Sequence, residues 1–227
     1  MGFSYAPAVQ VRTGAERATL VRRTYGLVFA SVIVTMFGAA FAFTQPGLMT
    51  AVIQHPFITF FCMFIPLIMA QRAARDFPRN LILTGVFTFI EGIWLAPFLQ
   101  MAERSAPGSV SQAAMLTLGA FTVLSAYAVF SRRDFSAWGS FFAIGLGVLL
   151  VAMIINMFVA SAAGALWISV IGLLVMSGLL VFDTWRIVRS GTYGQDDYVM
   201  AAVSIYLDLL NMFIFMLSIV GGGNRRR

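Results

Sequence analysis

Val199-Met200-Ala201-Ala202-Val203-Ser204-Ile205-Tyr206-Leu207-Asp208-Leu209-Leu210-Asn211 begins an apolar run that continues to Val220. The run, roughly 198–220, is near the ~20 residues that a helix rising 1.5 Å per residue needs to cross hydrocarbon. Yet an acid and an amide stand at mid-depth. An ionised aspartate at the centre of a membrane helix costs about 2.5–3.5 kcal/mol even on the mildest scale. Such a helix favours protein over lipid on its flanks, so this run is expected in the middle of a bundle.

The rest of the chain supplies the bundle. Six more apolar runs lie at roughly 24–44, 51–70, 80–101, 111–131, 137–160 and 164–187. Turn residues separate them, among them Gln45-Pro46-Gly47, Asp76-Phe77-Pro78, Ala106-Pro107-Gly108 and Gly191-Thr192-Tyr193-Gly194. Only 11% of the 227 residues are charged and 60% are hydrophobic. A soluble domain carries about 25% charged residues, and a water-soluble surface cannot be built from so few. The fold class is therefore an all-α integral membrane protein. We expect a seven-helix bundle with the last helix central: six spans plus a seventh that spans or re-enters. Residues 1–23 read as a polar cytoplasmic tail, 24–221 as a single transmembrane domain and 222–227 as a short basic tail. The first run exceeds the ~7–15-residue core of a cleaved signal peptide and reads as a retained helix. Pro66 and Pro97 are expected to kink helices near span ends, and Gly145, Gly147 and Gly164 to allow close helix approach.

All 15 basic residues are arginine, giving a net charge of +6. They sit in short runs between apolar segments, which marks topology rather than a groove for nucleic acid. Arg12, Arg17, Arg22 and Arg23 lie in the tail ahead of the first run. Arg72, Arg75 and Arg79 fill the second loop, Arg132 and Arg133 the fourth, Arg186 and Arg189 the sixth. The loops between carry none, or only Arg104 beside Glu103. Rich and poor loops alternate, which places the N-terminus in the cytoplasm, here expected to be that of a bacterium bounded by its inner membrane. Arg225-Arg226-Arg227 then lies outside if the last run spans and inside if it re-enters. The lone Cys62 sits in an apolar run, where a buried packing role is expected. His55, in Gln54-His55-Pro56, reads as a loop residue.

Three acids lie at membrane depth: Glu91, Asp183 and Asp208. Intramembrane acids are usually paired, protonated or lining water. Asn211, three residues after Asp208, shares its helix face, and Tyr206 adds a hydroxyl nearby. Arg186 stands at i+3 from Asp183 and can pair with it locally. A hairpin turning near Gly191 would leave Asp183 and Asp208 about 13 Å apart in depth; an extended 191–198 connection could bring them level. The sequence permits this pair without requiring it. Two adjoining carboxylates in a low dielectric resist double ionisation and share a proton, and a hard cation such as Ca²⁺ competes for their oxygens. Asp196 and Asp197 suit the N-terminal dipole of the last helix.

Phe182-Asp183-Thr184-Trp185-Arg186-Ile187-Val188 resembles the sixth-helix motif aromatic-Asp-Thr-x-x-Ile/Val of the Bax inhibitor-1 family, also called the transmembrane Bax inhibitor motif family. The run from Ala201 to Phe213 resembles that family's last helix, Ala-x-x-Leu-Tyr-Leu-Asp-x-x-Asn-x-Phe. The resemblance covers roughly residues 20–221. It implies a seven-helix fold with the last helix surrounded by the other six. It also implies an Asp–Asp pair, Asp183 with Asp208, linked to a pH-sensitive Ca²⁺ leak. An arginine on the second helix closes the pore in the family; Arg72 is the best match and Arg75 its rival. Glu91 resembles a third-helix acid of some members.

The expected function is thus a cation leak sensed by Asp183, Asp208 and Arg72, with Glu91, Arg186, Asn211 and Tyr206 in support. Its partners would be the bilayer, protons and Ca²⁺ as permeant or regulatory ion near Asp183 and Asp208, with no resident cofactor. The alternative is a regulator that binds a membrane protease or quality-control partner, through the N-terminal tail. An enzyme is not expected. The second intramembrane aspartyl-protease motif, Gly-x-Gly-Asp, is missing at Tyr206-Leu207-Asp208. Ser177-Gly178 lacks a rhomboid glycine, since Val175 stands in its place.

Overall fold

A computed structural model describes residues 14–74 and 76–223. The described residues form helices joined by short turns: α1 Gly14–Phe43, α2 Pro46–Gln54, α3 Pro56–Arg72, α4 Arg79–Ser105, α5 Ser109–Phe130, α6 Ser136–Val159, α7 Ala162–Val188 and α8 Tyr198–Gly223. Arg12 and most of the proposed tail lie outside the described residues. Helix α1 starts ahead of the apolar run, so Arg17, Arg22 and Arg23 ride on its first turns rather than in a loop. Arg75 and Arg225–Arg227 also lie outside the described residues.

Local chemistry sets the boundaries. Pro46 and Pro56 each open a helix, where their missing N–H has no partner to lose. The Ser161 hydroxyl accepts the Gly164 N–H at 3.1 Å and caps α7. Glu103 at the end of α4 accepts the Gly108 N–H at 2.7 Å and the Val110 N–H at 3.3 Å, tying α4 to the start of α5. Pro66 and Pro97 both lie inside helices, α3 and α4.

Helix α8 is central. It packs on α1, α4, α5 and α7, while α3 leans on α4 and α6 on α7 at the periphery. The ring around α8 therefore has four main members rather than six. Its side chains Ala201, Ile205, Tyr206 and Met212 are buried in the main core with Phe87, Leu180 and Ile187. Around this core the surface is apolar: of α6, only Leu149 is buried. Cys62, expected to pack in the interior, is instead exposed on α3.

Six helices are long and apolar enough to cross a membrane; the seventh candidate is the α2–α3 pair, bent by 104°. The uncertainty expected at the last run falls on the second. Helix α8, with 26 residues, measures about 39 Å and exceeds the ~30 Å hydrocarbon core. Arg23 of α1 and Asn80 of α4 border one hollow, and Phe43 of α1 and Leu99 of α4 another at the far end. These two helices run the same way, so α3 must return the chain between them, with α2 turned across its start. With that pair counted as one span, the described helices offer up to seven passages.

Candidate functional site

The site is built on two faces of α8. On the first, α1 and α4 approach so closely that a Cβ at Gly92 would collide with the Thr35 carbonyl, and one at Gly38 with the Phe89 carbonyl. Small residues permit such backbone contact in membranes. Close approach was expected at Gly145, Gly147 and Gly164; Gly145 makes only ordinary contact and Gly147 faces open space, whereas a Cβ at Gly164 would collide with the Asn156 side chain of α6. The α1–α4 approach brings Thr35 and Glu91 to the same tyrosine. The Tyr206 hydroxyl lies 2.7 Å from Thr35 Oγ1, which donates to the Ser31 carbonyl at 2.9 Å. Tyr206 also engages the Glu91 carboxyl, whose Oε2 has no hydrogen-bond partner and which is only 4% exposed.

On the other face, Asp208 comes within electrostatic reach of Asp183 and Arg186 on α7. It is buried, and its Oδ2 has no hydrogen-bond partner. The depth mismatch is smaller than the hairpin estimate. Asp183 is five residues from the end of α7 and Asp208 ten from the start of α8, a difference of about 7.5 Å. The chain from Arg189 to Asp197, including a short 3-10 turn at Gln195–Asp197, belongs to neither helix and delays the start of α8. Asp197 Oδ2 accepts the Gly194 N–H at 2.7 Å and shapes that turn.

Arg186 is the cation of this cluster. Its Nη1 donates to Asp183 Oδ1 at 3.2 Å and its Nη2 to the Tyr193 hydroxyl at 2.8 Å. Its guanidinium also lies 5.0 Å from the Tyr193 ring centre and 5.6 Å from that of Phe182. Burial pushes the Tyr193 hydroxyl above its ordinary range although Arg186 opposes the shift. Tyr193 therefore stays neutral near pH 7 and remains an acceptor for Arg186. Tyr25 on α1 closes the cluster: its hydroxyl is 2.9 Å from Thr184 Oγ1, with Ser125 of α5 alongside.

The remaining expected residues sit elsewhere. Arg72 is exposed at the end of α3, which packs on α4 and not on α7, and it makes no ion pair among the described residues. Asn211 turns back on its own helix and donates to the Leu207 carbonyl at 2.8 Å, so it does not serve Asp208. Tyr206 serves Glu91 instead, because two residues along a helix is a rotation of about 200°. Tyr25, Ser125, Thr35 and Tyr193 were not singled out from sequence; each is a lone hydroxyl without a spacing signal. Among the described residues no group of three metal-ligating side chains converges.

A central helix with a buried aspartate, packed among four long helices, defines a multi-pass helical membrane protein with an intramembrane polar core. The chain belongs to the Bax inhibitor family: the family model described as "Inhibitor of apoptosis-promoting Bax1" matches residues 17–226. It is 42% identical over 144 residues to an "Uncharacterized membrane protein" of Vibrio cholerae, a match spanning 63% of each chain. It is 29% identical over 227 residues to the "Golgi anti-apoptotic protein" of vaccinia virus, covering 99% of this chain and 94% of that one. To "Bax inhibitor 1" of Schizosaccharomyces pombe it is 30% identical over 210 residues, 90% of this chain and 77% of the other.

Proposed function

We propose that the protein is a pH-sensitive leak for Ca²⁺ or a similar cation, gated by Asp183 and Asp208 with Arg186 as their latch. The observation that carries this reading is the convergence of the two acids and Arg186 at the α7–α8 contact, with Asp208 Oδ2 left without a hydrogen bond. Placing a buried and a partly buried carboxylate beside one arginine has no packing advantage over apolar residues, so a titrating role accounts for them better than a structural one. At higher pH the ionised pair attracts Arg186 and draws α7 against α8. As pH falls the pair takes up protons, the attraction weakens and the helices part. A cation entering the cluster competes for the same oxygens. This assigns to Arg186 the closing role that the resemblance gave to Arg72; Arg72 keeps at most a place at the mouth.

The test is Ca²⁺ influx into dye-loaded liposomes holding the purified protein, from about pH 5.5 to pH 8, beside Asp208→Asn. Influx should rise as pH falls in the wild type and lose its pH dependence in the variant. No influx above empty liposomes at any pH would remove the leak. A second reading is then favoured by the anti-apoptotic name of the vaccinia relative: a membrane regulator that acts by binding a partner, with the acids as internal glue. Loss of partner co-purification on deleting residues 2–20 would support it.

A further inference from the structure

Glu91 is a buried acid that the aspartate cluster does not use. It precedes Gly92, where α4 meets the α1 backbone, and the buried Phe87 ring stands edge-on to its partner Tyr206, 6.2 Å between centres. Glu91, Tyr206 and Thr35 are each at most 6% exposed. Among the described residues Tyr206 is the one titratable group that acts on Glu91, and the helices packed on α4 bring no cation to it.

The oxygens here form a chain across three helices. The Glu91 carboxyl meets the Tyr206 hydroxyl, which lies 2.7 Å from Thr35 Oγ1, and Thr35 Oγ1 lies 2.9 Å from the Ser31 carbonyl oxygen. Each of these contacts needs one proton. Tyr206 and Thr35 carry one each, and a backbone carbonyl carries none. Thr35 gives its proton to Ser31, so Tyr206 gives its own to Thr35. Tyr206 then has nothing to donate to Glu91 and can only accept. The remaining proton comes from the Glu91 carboxyl, which is a donor only in its neutral form. The Oε2 atom without a hydrogen bond fits the same state, because a buried oxygen left bare costs far more in an ionised carboxylate than in a neutral acid.

We infer that Glu91 is a proton-binding site, holding its proton in a one-way hydrogen-bond chain from α4 through α8 to α1. The chain ends on a backbone carbonyl, which passes no proton on, so the site stores a proton rather than conducting one. The stored proton fastens α8 to α4 and α1 on a different face from the one that meets α7. Removing it leaves a buried carboxylate before a hydroxyl whose proton Thr35 already holds, and the clasp must reverse or loosen. This site stands apart from the aspartate pair and does not depend on the leak.

Infrared absorption of the full chain in liposomes at about pH 7 tests it, because a neutral carboxyl absorbs apart from both a carboxylate and the peptide backbone. The wild type should show a carboxylic-acid C=O band that Glu91→Gln loses and Asp208→Asn keeps. Tyr206→Phe should move that band to higher frequency, since the acid loses its acceptor. Glu91→Gln keeps a donor in its side-chain amide, so it should fold and melt no lower than the wild type in detergent. Raising the pH until the band vanishes should lower the wild-type melting temperature by more than that of Glu91→Gln. An acid band that does not depend on Glu91, a Glu91 band that Tyr206→Phe leaves unshifted, or equal falls in the two melting temperatures would overturn the proposal.

Discussion

Tyr206 and Asp208 are two residues apart on α8 and point to different neighbours. Tyr206 joins Thr35 of α1 and Glu91 of α4, whereas Asp208 meets Asp183 and Arg186 of α7. The buried Glu91 thus has its own hydroxyl partner, independent of the aspartate pair. Tyr206→Phe removes the hydroxyl that engages Glu91 and deprives the buried carboxyl of that partner. We predict a loss of about 1–2 kcal/mol in stability, read from thermal unfolding in detergent, with the pH profile of cation influx preserved. The acids themselves were legible in the sequence because a charge inside an apolar run is conspicuous. Their partners were not. Nearness along the chain assigned Tyr206 and Asn211 to Asp208, yet helix rotation sends Tyr206 to Glu91 and a local bond takes Asn211. Arg186 was legible as an i+3 neighbour of Asp183, and the structure adds its clamp by Tyr193, thirteen residues before Tyr206 and in a loop.

At the scale of elements, two features decide where side chains meet. The first is the backbone contact of α1 with α4 at Gly38 and Gly92. Gly92→Ala forces a methyl against the Thr35 carbonyl, and the helices must separate. We predict a destabilisation of about 1–3 kcal/mol, measured as a fall in melting temperature. Gly147→Ala, whose methyl faces open space on α6, should leave stability unchanged or raise it slightly. Sequence spacing did not separate these glycines, because a glycine beside a backbone and a glycine beside lipid look alike in one dimension. The second feature is the connection between α7 and α8. Its length outside both helices halves the depth mismatch of Asp183 and Asp208, which the turn at Gly191 alone would not do. Helix existence followed readily from hydropathy. The break at His55-Pro56 did not, since the apolar run continues through it.

For the whole molecule, the parallel course of α1 and α4 fits a crossing by α3, and we predict seven passages, with the start of α1 and the end of α8 on opposite sides. Arg23 borders one hollow with Asn80, next to Arg79, and Tyr25 meets Thr184, two residues before Arg186, so these arginines share the end at which α1 starts, which predicts a cytoplasmic N-terminus. A reporter fused after Arg227 that is active only outside the cytoplasm should therefore score positive, despite the three arginines before it; a negative score would contradict this topology. The central place of the last run was legible because a polar mid-span needs protein around it, while the four-membered ring about α8 depends on packing that hydropathy does not encode. The claim on which the functional account rests is that Asp183 and Asp208 act as one proton-sharing unit. Measuring Ca²⁺ influx against pH for Asp183→Asn, Asp208→Asn and the double variant in liposomes addresses it directly. Groups that act as a unit are non-additive, so each single substitution should flatten the profile as fully as both together. Single variants that keep the wild-type profile, or effects that simply add, would contradict the account.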